Sequence, residues 1–346
     1  MNEISIAKPQ IGMYEMEGVM EVIRSKQLTQ GVKVEEFEEM FAKYIGTKYA
    51  VAVNSGTAAL HCAYLALGLK KGDEVITTPF TFRATISMIE ATGATPVFVD
   101  IKDDFNIDET LIKEKITKKT KAIVPVHLFG KPCSMDKIMK IANEYKIFVI
   151  EDAAQSCGAE YNNKKTGNFG DIGAFSFYGT KILTTCEGGM CVTNDLEIAK
   201  KIRMIRNHGM DEYGNFKMLG YNYRMTDVSA SIGIKQLDKI DNFISVRRYI
   251  AASYNYYFDK LVKVPRDTEN TRHAYNNYSF VVKNRDLVIK NLQANGIGAR
   301  IYYEKPFADL PNATKIADSI ISIPIRPNLT TEEMNHIIYN LQEIIT

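Results

Sequence analysis

Lys181 lies in the segment Gly170-Asp-Ile-Gly-Ala-Phe-Ser-Phe-Tyr-Gly-Thr-Lys181, followed by Ile-Leu-Thr-Thr-Cys-Glu-Gly-Gly189. One lysine is thus set among hydroxyls and glycines, just after an apolar run that reads as buried. Upstream, Ile147-Phe-Val-Ile-Glu-Asp152 is an apolar run ending in acids, so a carboxylate at a strand's C-terminal end can face the same crevice. Asp152 is the first choice and Glu151 the second. A lysine and an acid flanking one pocket have a definite chemistry: the amine condenses with an aldehyde, and the acid keeps a pyridine nitrogen protonated so that the ring accepts electrons. Pyridoxal phosphate (PLP) needs that pair. A single loop lysine is more often a solvated charge, so the surrounding residues must decide between the two.

Asn54-Ser-Gly-Thr-Ala58 follows the β-like run Tyr49-Ala-Val-Ala-Val53 and opens an apolar helix. Its amides and hydroxyls can cradle a phosphate at the positive end of that helix, or serve as an ordinary N-cap. Glu74 to Thr78, Thr95 to Val99, Thr120 to Val126 and Phe148 to Ile150 are further short β-branched runs separated by helix-length segments, the βαβ rhythm of a mostly parallel sheet. In such sheets ligands sit beyond the carboxyl ends of the strands. Asn54 to Thr57, Thr81-Phe82, His127 and Asp152 all fall there.

Before this region, Met16, Val19, Met20, Ile23 and then Phe37, Met40, Phe41 recur at helical spacing on either side of Thr29-Gln-Gly31, which predicts two leading helices. After Leu237 a long helix runs to about Lys260, Tyr278 to Val282 and Arg300 to Tyr303 read as strands, and Thr331 to Ile345 reads as a closing helix. The expected organisation is an α/β large domain with N-terminal helices over residues 1–235 and a small C-terminal α/β domain over 236–346.

At 346 residues, 45% apolar and 24% charged, the composition is that of a globular enzyme with a large core. Forty-three basic against forty-one acidic residues leave a formal charge of +2, which gives no electrostatic case for nucleic acid or an anionic membrane. No apolar run approaches the ~20 residues that span a bilayer, and the start lacks a basic-then-apolar leader pattern, so a cytoplasmic location is expected. Cys62, Cys133, Cys157, Cys186 and Cys191 never pair as Cys-x-x-Cys and read as reduced thiols, with no metal site indicated.

Thr29-Gln-Gly31, Asn54 to Leu60, Thr81-Phe82, Glu151-Asp-Ala-Ala-Gln155, Ser176 to Gly189 and Gly220-Tyr-Asn-Tyr-Arg-Met-Thr226 stand in the order and approximate spacing of one family. From about Pro9 to its C-terminus the chain resembles the DegT/DnrJ/EryC1/StrS sugar-nucleotide aminotransferases, of the fold-type I PLP enzymes. The resemblance implies a large domain with a mostly parallel sheet, Lys181 holding the cofactor aldehyde and then shuttling a proton, and Asp152 at the pyridine nitrogen. It puts Gln155 beside the ring and Phe82 stacked on it. It places Thr57, Ala58 and Ser176 on the cofactor phosphate with Asn222 of a second subunit, and hence implies a homodimer with a shared site. Thr29, His127 and Tyr303 are the candidates for the substrate, although a lone histidine after a strand is as readily structural.

Lysine rather than histidine at position 181 argues for transamination over the dehydration performed by a sister branch. The motifs around Lys181 and Gly220 are similar to those of enzymes that aminate C4 of a nucleotide-linked 4-keto-6-deoxyhexose, with glutamate as the usual donor. Two departures stand out: the chain passes almost directly from Pro306 to Asp309-Leu-Pro-Asn-Ala313, omitting a longer segment found in relatives, and Cys186, read as a small packed thiol, replaces a common glycine. Amination at C3, or of a non-nucleotide keto sugar or cyclitol, is the alternative on the same scaffold. A PLP-binding regulator is the alternative from another class, and it predicts lost chemical residues or an added recognition module.

Overall fold

The computed structural model describes residues 3–345. Helices α1 (Met13–Ser25) and α2 (Val32–Ile45) lead into the large unit. There β1 (Tyr49–Val53), α3 (Gly56–Ala66), β2 (Glu74–Thr77), α4 (Arg83–Ala91), β3 (Thr95–Phe98), β4 (Thr120–Val124), α5 (Met135–Tyr145) and β5 (Phe148–Asp152) alternate strand and helix except between β3 and β4, where two short 3₁₀ turns take the place of a helix. Two short strands, β6 (Glu160–Tyr161) and β7 (Lys164–Lys165), precede β8 (Ile172–Ser176), β9 (Gly189–Thr193), α6 (Leu196–Arg206) and α7 (Asp227–Leu237). The remainder is α8 (Ile240–Phe258), β10 (Thr271–Arg272), β11 (Tyr278–Val281), α9 (Arg285–Ala294), α10 (Pro311–Ala317), β12 (Ile320–Ile323) and α11 (Thr331–Ile345).

Seven strands form the central sheet in the order β1-β9-β8-β5-β4-β2-β3. β8, β5, β4, β2 and β3 pair in parallel, and β9 is antiparallel to both its neighbours. Strands such as Ala-Val-Ala-Val at 50–53 are buried on both faces, which is why they read as continuous apolar runs rather than alternating ones. β9 escapes the sequence reading because Gly-Met-Cys-Val-Thr follows directly on a glycine-rich turn.

α1 departs from its pattern. Met16, Met20 and Ile23 are exposed, whereas Glu15, Gly18 and Val22 are buried. Glu15 is the reason for that rotation: it caps its own helix through the Gly12 amide at 2.9 Å and binds Gln236 Nε2 and Lys239 Nζ at 2.7 and 2.6 Å. The expected boundary at 235/236 falls inside α7, and the packing joins the two units through α8. Phe243 and Ile244 belong to the large core with α2 and α7, while Ile250, Tyr254 and Phe258 belong to the C-terminal core. That second core also takes in Ile4, whose backbone bonds to Gly296 and Gly298. Arg300 makes only a single bridge to Ser322, and the residues expected to extend it as a strand to Tyr303 are irregular.

Candidate active site

The carboxyl ends of the parallel strands open onto a crevice of about 680 Å³ whose lining includes Ser55, Thr57, Phe82, Asp152, Gln155, Ser176, Lys181 and Tyr303. Most come from element ends: Ser55 and Thr57 from the start of α3, Phe82 from the start of α4, Asp152 from the end of β5 and Gln155 just after it, and Ser176 and Lys181 from the end of β8 and the turn after it. Asp152 is the last residue of β5, and its backbone is tied on both sides, N–H to Pro125 and C=O to His127. The Thr85 hydroxyl, from the first turn of α4, donates to Asp152 Oδ2 at 2.7 Å, and the Ala154 amide donates to Oδ1 at 3.1 Å. Thr81 backs Thr85 at 3.0 Å. Burial pushes the Asp152 carboxyl up, and these two bonds together with the Lys181 charge oppose that rise.

Lys181 stands after β8 in a turn closed by its own N–H on the Tyr178 carbonyl at 2.9 Å. Burial lowers its amine from 10.5 to about 8, and the nearby Asp152 charge only partly counters this. An amine of lowered basicity, more readily neutral than an ordinary lysine, beside a hydrogen-bonded carboxylate is what imine chemistry requires.

Glu151, one residue from Asp152, points away from the crevice and is fully buried. Its two oxygens accept from the amides of Gly167, Phe169 and Gly170 at 2.6 to 2.8 Å and bond His127 Nε2 at 2.9 Å. Side chains alternate along a strand, so with Asp152 in the crevice lining, Glu151 falls on the other face. The structure also corrects the expectation for His127: its other ring nitrogen accepts from the Cys133 amide at 3.1 Å and the residue has no exposed surface, so it reaches no substrate.

At the opposite end of the crevice α3 begins. Ser55 caps it, its hydroxyl accepting from the Ala58 amide at 3.1 Å, so the Ala58 N–H already has a partner. The Gly56 and Thr57 amides are first-turn groups without an intrahelical acceptor, and Ser176 lies against them. A Cβ on Gly56 would come within 2.6 Å of Ser176 Cβ, so glycine is what lets the helix start meet the end of β8. Hydroxyls and free amides at a helix N-terminus suit a phosphate.

Phe82, 58% exposed, caps α4 and lies 6.4 Å from the Tyr303 ring. Gln155 is fixed at both ends of its amide: Oε1 accepts from the Phe129 N–H at 2.9 Å, and Nε2 donates to the Tyr303 hydroxyl at 3.1 Å. Thr29 and Asn222 are exposed and outside this lining. The Thr29 carbonyl accepts from the Asp227 amide, and the Asn222 carbonyl accepts from Asn54 Nδ2 at 3.3 Å, which sets the 220–226 segment beside the α3 turn. Cys186 is exposed rather than packed, and its φ of 69° is the left-handed conformation that a glycine adopts freely. Thr85 was not legible as a site residue, because nothing in its local sequence marks it, whereas Ser55 falls within the segment read as a phosphate cradle or N-cap.

The groups present therefore fit PLP: an amine of lowered basicity, a desolvated carboxylate held by two hydrogen bonds, an aromatic wall and an anion cradle. The DegT/DnrJ/EryC1/StrS aminotransferase family model matches residues 9–342. GDP-perosamine synthase of Caulobacter vibrioides is 38% identical over 99% of this chain and 98% of its own. Among solved structures, Helicobacter pylori PseC, an aminotransferase involved in the biosynthesis of pseudoaminic acid, superposes with a TM-score of 0.96 at 31% identity over 99% of both chains. Spr1654 of Streptococcus pneumoniae in its PLP form gives 0.93 at 28% identity, over 99% of this chain and 100% of that one. Matches that run through the crevice and both of its walls assign the chain as a whole: it belongs to the DegT/DnrJ/EryC1/StrS aminotransferase family, PLP-dependent enzymes that aminate sugars.

Proposed function

We propose that this enzyme moves an amino group from glutamate to C4 of a nucleotide-linked 4-keto-6-deoxyhexose, in the making of a surface glycan. The observation that carries transamination is the pairing of Lys181, its amine lowered to about 8, with the pinned carboxylate of Asp152 in one crevice. The C4 assignment is supported by full-length similarity to the GDP-perosamine synthase.

PLP, when bound, supplies the electron sink that makes a carbon-bound proton of the donor acidic. Lys181 Nζ would hold the cofactor aldehyde, then, as a free neutral amine, take that proton and return it elsewhere. Asp152 would favour a protonated ring nitrogen, with Thr85 and Ala154 fixing the carboxylate in place. Phe82 and Gln155 would set the plane of the ring, and Ser55, Thr57 and Ser176 would take the phosphate. Offset stacking contributes roughly 0.5 to 1.5 kcal/mol, enough to orient a ring without locking it.

The active unit in this reading is a two-fold dimer in which Asn222 of each chain completes the phosphate site of the other. Two features support it. Asn222 is exposed yet held beside the α3 turn, and apolar residues of α1 and of the 210–220 loop, among them Met13, Met16, Ile23, Tyr213, Phe216 and Leu219, are exposed in the single chain. Clustered exposed apolar side chains support an interface there. Incubation of holoenzyme with glutamate and a panel of nucleotide-linked keto sugars, with product mass and NMR, tests the reaction. Nitrogen at C4 and release of 2-oxoglutarate are expected; nitrogen at C3 replaces the regiochemistry.

A further inference from the structure

His61, on α3, stands one helical turn beyond Thr57 on the same face and is only 5% exposed. Its Nδ1 lies 3.0 Å from the Tyr223 hydroxyl, whereas Nε2 is buried with no partner. Burial lowers the ring's basicity and keeps it neutral at pH 7, and either tautomer satisfies Nδ1 while leaving Nε2 unmet. An apolar side chain would fill this place, in the run Ala58-Ala-Leu-His-Cys-Ala63, without orphaning a polar atom. What the imidazole adds is the bond to Tyr223 and a flat surface for two rings. The Tyr221 and Tyr223 centroids lie 5.0 and 5.9 Å from its own, and those two rings stack on each other at 5.0 Å, within 6° of parallel.

Asn222 stands between those tyrosines. Residues two apart in an extended segment share a side, so Tyr221 and Tyr223 face inward, partly buried, and Asn222 is exposed on the other side. The backbone is pinned as well: the Tyr221 and Tyr223 amides donate to the carbonyls of Ile205 and Arg206 at 2.7 and 2.9 Å, and their own carbonyls accept from the amides of His208 and Asn54 at 2.9 and 2.8 Å. Backbone bonds set where the segment lies, and the grip on its tyrosines sets which way the residue between them points. Only the Asn222 carbonyl is bonded to a side chain, that of Asn54, and its own side-chain amide has no hydrogen-bond partner among the described residues. A firmly mounted amide with nothing to bind in its own chain is aimed at something outside it.

We propose that His61 is a positioning residue: it clamps Tyr221 and Tyr223 so that Asn222 reaches the cofactor phosphate held by the second chain. This rests on the reading of a dimer with shared sites and deepens it. One helix then serves two sites, offering Ser55 and Thr57 to its own chain's phosphate from its first turn and steadying the other chain's from its second.

His61→Leu removes the bond to Tyr223 and keeps the bulk, and His61→Asn returns a side-chain amide to the place of Nδ1. Cofactor titration should show affinity at least ~10-fold weaker in His61→Leu and within about threefold of wild type in His61→Asn, with kcat at saturating cofactor within about twofold in both. The deciding measurement mixes His61→Leu with inactive Lys181→Ala, subunit exchange verified, at a cofactor concentration that saturates the wild type but not His61→Leu. Acting across the interface, His61 leaves each mixed dimer one site with both defects and one with neither, so activity should rise on mixing. Acting through α3 in its own chain, it leaves no intact site, and an absence of recovery overturns the proposal. The pair Lys181→Ala and Asn222→Ala tests the underlying reading: recovery there without recovery for His61→Leu removes the role of His61 alone, and recovery in neither removes the shared site with it. Unchanged cofactor affinity in folded His61→Leu also overturns the assignment. Should that variant not fold, Tyr223→Phe breaks the same bond from the other side and takes its place in every measurement.

Discussion

An ordinary lysine titrating at 10.5 is neutral in about one molecule in three thousand at pH 7, whereas one at about 8 is neutral in about one in ten. That gain is a property of the place, since a buried ammonium loses hydration that Asp152 only partly replaces. The neutral form is depleted as pH falls through about 8, so cofactor uptake by the apoprotein should accelerate with rising pH around that midpoint. Stopped-flow absorbance measures it, and a midpoint near 10 would remove the burial argument. Borohydride treatment of the holoprotein should leave the cofactor mass on the Lys181 peptide alone, and Lys181→Ala should abolish turnover. For Asp152→Asn, the lost charge matters more while the ring is accepting electrons than in the resting state. kcat should fall on the order of 10²-fold with cofactor affinity changed by less than about tenfold, measured by steady-state kinetics and cofactor titration; near-normal kcat with Glu151 intact would move the role elsewhere.

At the scale of elements, β5 ends in two acids with opposite duties. Asp152 enters the crevice, and Glu151 on the other face gathers three amides of the 167–170 turn together with His127. That turn leads directly into β8 and so to Ser176 and Lys181, which makes Glu151 a support for the lysine's position. Glu151→Gln turns one accepting oxygen into a donor among N–H donors. It should cost about 2 to 4 kcal/mol of stability with kcat of the folded enzyme nearly kept, as read by denaturant unfolding and kinetics. A large kcat loss with full stability would instead make Glu151 a participant in the chemistry.

For the whole molecule, the joint lies in α8, one half packed in each core, so the crevice is built from both units and from Ile6 and Ala7 of the N-terminal segment. If the second chain supplies Asn222, inactive Lys181→Ala mixed with a severely impaired Asn222→Ala should regain activity. Each mixed dimer then has one doubly defective site and one intact site, and recovery should approach half of the wild-type sites. In that arrangement cofactor should also stabilise the dimer, because it would bind across the interface. Verified subunit exchange without recovery would return Asn222 to its own chain's site.

Chain order alone fixed the alternating strands and helices, the lysine with its hydroxyl and glycine surroundings, and the placing of motifs at strand ends, because these depend on local periodicity and on the rule for open parallel sheets. Tertiary structure decided which acid faces the crevice, because neighbouring strand residues point to opposite faces and only packing says which face is which. It also decided that His127 is sealed, since burial is set by residues far away in sequence. The apolar stripe of α1 turned outward because Glu15 found partners in Gln236 and Lys239, more than two hundred residues on. Thr85 beneath Asp152 became visible only when the chain closed on itself: a hydroxyl has a role only through the groups that surround it.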